Sequence, residues 1–245
     1  MSIRQAKARA VGNALLWAVL ILLFPITSGV IATFFQFGPI ATRLLQAAFM
    51  LAAFVFGYIY IQRQQIKPTD LFLRRKTIPR KDVCLPLLML VPMLLKGIVL
   101  PSFWLLLATL LFVAAVGLAE ELYFRGIGLC FLRSAFSKRM AIIISALIFG
   151  LGHSAVALAN PDPLMVGLIV LNALLYGFFA AGWAINQRSI RYLMLHHALF
   201  NLTDYLHNLS AGDLIIAYYV RGGLILIIGL YYWQKLSLKH QQGFH

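Results

Sequence analysis

Long apolar runs alternate with short polar breaks along the whole chain, a pattern that predicts membrane-crossing helices. Such a helix needs about 20 mostly apolar residues. Eight stretches meet or approach that length: 11–34, 40–61, 83–100, 103–124, 140–159, 164–185, 192–209 and 214–233. Pro25 falls inside the first and predicts a kink, and Pro92 and Lys96 interrupt the third. The runs are continuous and lack the period-two alternation of membrane-barrel strands, so the expected fold is all-α and polytopic. The first run exceeds the core of about 7–15 residues found in a signal peptide, and it reads as a span.

The breaks differ in charge. Arg4, Lys7 and Arg9 precede the first run. Arg63, Lys67, Arg74, Arg75, Lys76, Arg80 and Lys81 follow the second, and Arg133, Lys138 and Arg139 follow the fourth. Arg188 and Arg191 follow the sixth, and Lys235 and Lys239 follow the last. The alternate breaks, 36–39, 160–163 and 210–213, are nearly uncharged. With eight crossings every basic segment falls on one side, and the positive-inside rule then places both termini in the cytoplasm. The short chain and brief loops point to a bacterial inner membrane.

Composition agrees with this class. Of 245 residues, 62% are hydrophobic and 11% charged, where a soluble domain carries about 25% charged residues. A soluble globular domain and a disordered chain are both excluded. The net charge of +14 is accounted for by topology-setting loops, so the bilayer is the expected partner and nucleic acid is not. Cys84 and Cys130 lie far apart and show neither disulfide-framework nor metal-ligand spacing. No repeat or linker divides residues 1–245, which read as one membrane domain.

Ionisable groups inside a span are costly and are functional candidates by default. The two glutamates of the chain, Glu120 and Glu121, are adjacent. Glu121 and Arg125 are four apart and share a helix face, so they can pair. Glu120 is turned about 100° away and keeps no such partner; a buried, unpaired carboxylate can serve as a base. His153 stands alone in the fifth run. His197 and Asn201 are four apart and can hold one oxygen between them, whereas His196 points elsewhere. Lys96 can snorkel, and Asp204 and Arg221 can pair across the last two helices; with His207, these four read as structural.

Three motifs thus follow one another on separate spans: Glu120-Glu121-x-x-x-Arg125, Phe149-x-x-x-His153 and His197-x-x-x-Asn201. Together they resemble the CPBP family, the CAAX-protease and bacteriocin-processing group, also called the ABI or type II CAAX prenyl endopeptidase family. The resemblance covers 103–209. It implies an intramembrane endopeptidase with a cytoplasm-facing catalytic cavity. It assigns water activation to Glu120 and His153, the oxyanion to His197 and Asn201, and a supporting pair to Glu121 and Arg125. The implied substrate is a membrane-associated or lipidated protein or peptide, and a mechanism without a cofactor is favoured.

Zinc on Glu120, His153 and His197 is the alternative, although the chain has no His-Glu-x-x-His helix. Two non-protease readings also stand: an immunity factor that binds a toxin without catalysis, and a small transporter with proton sites at Glu120 and Glu121. The depths of the histidines conflict. At 1.5 Å per residue, His153 lies about 20 Å past the start of its span and His197 about 8 Å past the start of its own. A short interfacial helix over 130–139 would reconcile them.

Overall fold

The computed structural model describes residues 2–66, 72 and 77–241, with 237–241 described as backbone. Lys67, Arg74, Arg75, Lys76 and the side chain of Lys239 lie outside the described residues. Among the described residues ten α-helices follow in order: α1 Ile3–Phe34, α2 Pro39–Arg63, α3 Arg80–Leu87, α4 Val91–Leu94, α5 Phe103–Glu121, α6 Leu129–Ala135, α7 Lys138–Gly152, α8 Pro163–Gln187, α9 Arg191–Leu206 and α10 Ala211–Gln241. A π-helical stretch, Leu122–Gly128, joins α5 to α6, and a 3-10 stretch, His153–Leu158, extends α7. No strand forms among the described residues; a single antiparallel bridge links Ile98 and His207.

Local sequence explains many of the ends. Ser2 and Gln5 form a reciprocal capping box on α1. Pro39 and Pro163 occupy first-turn positions, where the missing N–H costs nothing. Asp162 accepts from Leu164 N at 2.9 Å to cap α8, and Arg188, at φ 53°, stops that helix in the left-handed region. Pro25 is accommodated within α1, where the Ser28 hydroxyl donates to the Pro25 carbonyl.

Among the described residues, six helical stretches are long and apolar enough to cross a membrane, which makes this an integral multi-pass membrane protein. The third and seventh predicted spans are not among them. The third is broken into α3, a 3-10 turn at Leu88–Leu90 and α4, with Pro86, Pro92 and the positive-φ Gly97 along it. The seventh, α9, has 16 residues and reaches about 24 Å, short of the roughly 30 Å hydrocarbon core.

Both nevertheless return the chain across the body, because the helices on either side of them run parallel. Tyr123 of the π-helical stretch donates to the Ala53 carbonyl of α2 at 2.9 Å, and toward the other end Arg43 of α2 lies over Phe112 of α5. Asn172 of α8 donates to Tyr218 O of α10 at 3.2 Å, and Asn186 donates to Tyr232 O at 2.9 Å. Parallel neighbours require a full return between them. Residues 80–99 supply the first return and α9 the second, running side by side: Tyr192 donates to Val83 O, His196 Nε2 faces Pro86 O at 3.0 Å, and Val99 N donates to Leu206 O at 2.8 Å.

The expected interfacial helix over 130–139 is absent. Leu129–Ala135 continues the preceding helix, and α7 starts at Lys138. The α8–α9 turn is sunk into the body: Gln187, Ser189 and Ile190 are buried, and Ile190 N donates to Phe72 O. Asn186 is level with Tyr232, yet α10 continues to Gln241, about 14 Å further. The seventh span therefore begins below the end of the bundle. The start of α7 lies at that same level, since Gly177 packs on Ala146 and Gly182 on Ile142, so His153 stays deeper than His197 and the two face one cavity.

Close helix approach relies on small residues. A Cβ on Gly117 of α5 would lie 2.3 Å from Met194 O of α9, and one on Gly150 of α7 would lie 2.6 Å from Leu174 Cβ of α8. Asp82, 1% exposed, anchors the start of the broken segment: it accepts from Lys235 Nζ at 3.1 Å and from Tyr232 Oη at 3.0 Å.

Candidate active site

The last turn of α5, the end of α7 and the middle of α9 bring the predicted residues together. Glu121 and Arg125 are both fully buried and pair at 3.0 Å, across the junction of α5 with the π-helical stretch. Such wide turns recur at functional sites. The Arg125 guanidinium lies 3.9 Å from the centre of the Phe149 ring. Phe149 of the second motif is thus the platform on which that cation is stacked.

Glu121 has a second partner that its spacing did not reveal. His197 Nδ1 lies 2.8 Å from Glu121 Oε1. Held by Arg125, Glu121 is an ionised acceptor, so Nδ1 of His197 carries the proton. This leaves Nε2 facing the other way, 3.8 Å from Glu120 Oε2. That separation is too long for a hydrogen bond. Glu120 Oε2 is buried and makes no hydrogen bond among the described residues. The two adjacent glutamates therefore flank one imidazole, with Glu121 at Nδ1 and Glu120 at Nε2.

His153 places Nδ1 2.9 Å from Phe149 O, which directs Nε2 away from its own helix. His153, His197 and Asn201 line one cavity of about 80 Å³, room for two or three waters. Asp204 and Arg221 line the same cavity and pair at 2.8 Å, as their positions on the last two helices predicted. Relative to the basic loops this cavity lies deeper, beyond His197, so the mouth expected toward those loops is not formed by it. His196 points away from the site, as its helix position predicted. Its Nε2 faces Pro86 O at 3.0 Å and its Nδ1 faces Tyr176 Oη at 3.2 Å. Lys96 pairs with Asp213 at 2.9 Å at an exposed position.

Residues 102–203 match the family model for type II CAAX prenyl endopeptidase Rce1-like proteins.

No curated protein matches the chain. The Rce1-like stretch contains Glu120, Glu121, Arg125, Phe149, His153, His197 and Asn201, and it agrees with the resemblance read over 103–209. It supports a CAAX-type intramembrane protease in general, a hydrolase working at a bilayer.

The sequence reading missed Tyr176, which is fully buried with its ring 5.0 Å from His197 and 5.8 Å from His196. An aromatic in an apolar helix carries no sequence signal of its own; only its register against α9 reveals it. Among the described residues no group of three or more His, Cys, Asp or Glu side chains is arranged to hold a metal ion. His153 and His197 each have Nδ1 engaged by a protein oxygen, which leaves one nitrogen apiece.

Proposed function

We propose that the chain hydrolyses a peptide bond of a membrane-associated or lipidated protein or peptide, using water activated by Glu120 and His153. The observation that carries this reading is the unpartnered Glu120 Oε2 facing an imidazole whose other nitrogen is fixed by Glu121. In this reading Glu120 takes a proton as the water oxygen attacks the scissile carbonyl carbon. The carbonyl electrons move to oxygen. Asn201 donates an amide N–H to that oxyanion, and His197 donates through Nε2. Because Nδ1–H is committed to Glu121, donation from Nε2 requires the imidazolium. As the C–N bond breaks, Glu120 returns its proton to the leaving amine. Glu121 and Arg125 hold the ring and do not react.

The test uses the full chain in proteoliposomes with a lipidated peptide. Glu120→Gln is expected to abolish cleavage while the protein keeps its melting temperature, and wild-type turnover is expected to survive exhaustive chelation. Activity erased by chelator and restored by zinc overturns the glutamate assignment. A Glu120→Gln protein that keeps its full cellular effect overturns the enzyme reading in favour of a binding protein, such as an immunity factor.

A further inference from the structure

At the end of the bundle with the uncharged loops, three described cations lie in or beside spans, and two have carboxylate partners: Lys96 with Asp213 and Arg221 with Asp204. Arg43 makes no ion pair among the described residues. Its guanidinium donates to Gln46 Oε1 at 2.9 Å and lies over the rings of Tyr205 and Phe112, at 4.4 and 5.2 Å. A cation within a span calls for a counter-charge, and here the described residues supply none.

Arg43 opens onto a groove of about 310 Å³ between the ends of α2, α5 and α9, lined also by Thr42, Pro101, Leu105, Thr109 and Tyr205. The groove's depth is marked by exposed aromatics. Trp104 is 66% exposed at the same end, the residue type that anchors at lipid headgroup level, and the exposed Phe34, Phe35 and Phe103 beside it face the lipid. Arg43 is four residues into α2, about 6 Å along the helix, and so lies just inside that level. A headgroup phosphate of the adjoining leaflet has the charge, depth and size to meet it, and a guanidinium suits phosphate oxygens.

We propose that this groove binds the phosphodiester of an anionic phospholipid, with Arg43 as its counter-charge. The walls formed by Pro101 and Leu105 favour a lipid over a soluble anion, since they lie against the first carbons below a phosphate. Tyr205 also ties the groove to the catalytic helix, because it is the next residue after Asp204, which lines the other cavity.

The full chain in an uncharged detergent is titrated with phosphatidylglycerol, phosphatidylcholine or inorganic phosphate and followed by native mass spectrometry. Phosphatidylglycerol is expected to saturate one site per chain, with phosphatidylcholine much weaker. Arg43→Gln is expected to weaken phosphatidylglycerol by about tenfold, the value of one charged hydrogen bond. Lys96→Gln, which leaves the groove intact, is expected to change nothing. Leu105→Trp fills the groove while keeping Arg43, so it tests the site even where loss of the arginine disturbs folding; it too should weaken binding. Equal retention of the two lipids, or unchanged binding in both groove variants, overturns the proposal. Saturation by inorganic phosphate with no preference for lipid overturns the lipid as occupant.

Discussion

Removing the charge of Glu121 tests whether one carboxylate serves both the fold and the catalytic ring. In Glu121→Gln the Arg125 guanidinium stays fully buried with its 3.0 Å partner neutralised. Breaking one side of a buried ion pair costs about 3–5 kcal/mol, a large part of the roughly 5–15 kcal/mol that holds a native protein together. For a chain of this size the loss corresponds to a fall in melting temperature of about 6–20 °C. The same substitution weakens the 2.8 Å bond to His197 Nδ1 and frees the ring to turn or to move its proton. Turnover is therefore expected to fall beyond what the loss of folded protein explains.

The double variant Glu121→Gln/Arg125→Gln separates the two effects. With both charges gone, no buried cation is stranded, and much of the melting temperature is expected to return. His197 still lacks its carboxylate, so turnover per folded molecule stays low. The assay pairs thermal melts in detergent with cleavage of a lipidated peptide, normalised to folded protein. Full recovery of turnover in the double variant would refute the reasoning, because Glu121 would then act through Arg125 alone. A single Glu121→Gln variant with unchanged melting and turnover would refute it more simply.

Asn201→Ala is expected to lower kcat by about 100- to 1,000-fold with little change in KM, as loss of one oxyanion donor does; an equal rise in KM would instead make Asn201 a substrate-binding group. Gly117→Ala is expected to part α5 from α9 and to depress turnover, because its Cβ would lie 2.3 Å from Met194 O, whereas Gly12→Ala, with open space around it, serves as the silent control. Reporter fusions after residues 62, 134 and 188 are expected to read from one compartment and a fusion after 161 from the other. Opposite signals at 62 and 134 would remove the crossing assigned to 80–99.

What could be read from the sequence was what is local in the chain. Glu121 and Arg125 are one helical turn apart, so their pairing follows from the 3.6-residue period alone. His197 and Asn201 share a cavity for the same reason. Continuous apolar runs identify a helical membrane protein without any tertiary information. The third span was legible as an interrupted crossing from Pro92, whereas the further breaks at Pro86 and Gly97 depend on the backbone each one takes. Arg43 was passed over because its significance lies in an absence: the carboxylates near that end of the bundle engage other partners.

What could not be read was relative depth, and depth assembles the site. Counting residues from the start of each span assumes that all spans start in one plane. The α8–α9 turn breaks that assumption. Ser189 and Ile190 are buried, and α3 lies beside the turn, with Trp183 Nε1 donating to Asp82 O at 3.0 Å and Tyr192 donating to Val83 O. A turn can sink this far only if something else satisfies its polar groups, since backbone N–H and C=O groups are costly to bury unpaired. The broken third segment supplies part of that cover: α3 offers the carbonyls of Asp82, Val83 and Pro86 to the side chains of Trp183, Tyr192 and His196. Pro86, which has no N–H to give the Asp82 carbonyl four residues back, leaves that acceptor to Trp183 beside the inward start of α9. That inward start sets His197 opposite Glu120 and Glu121.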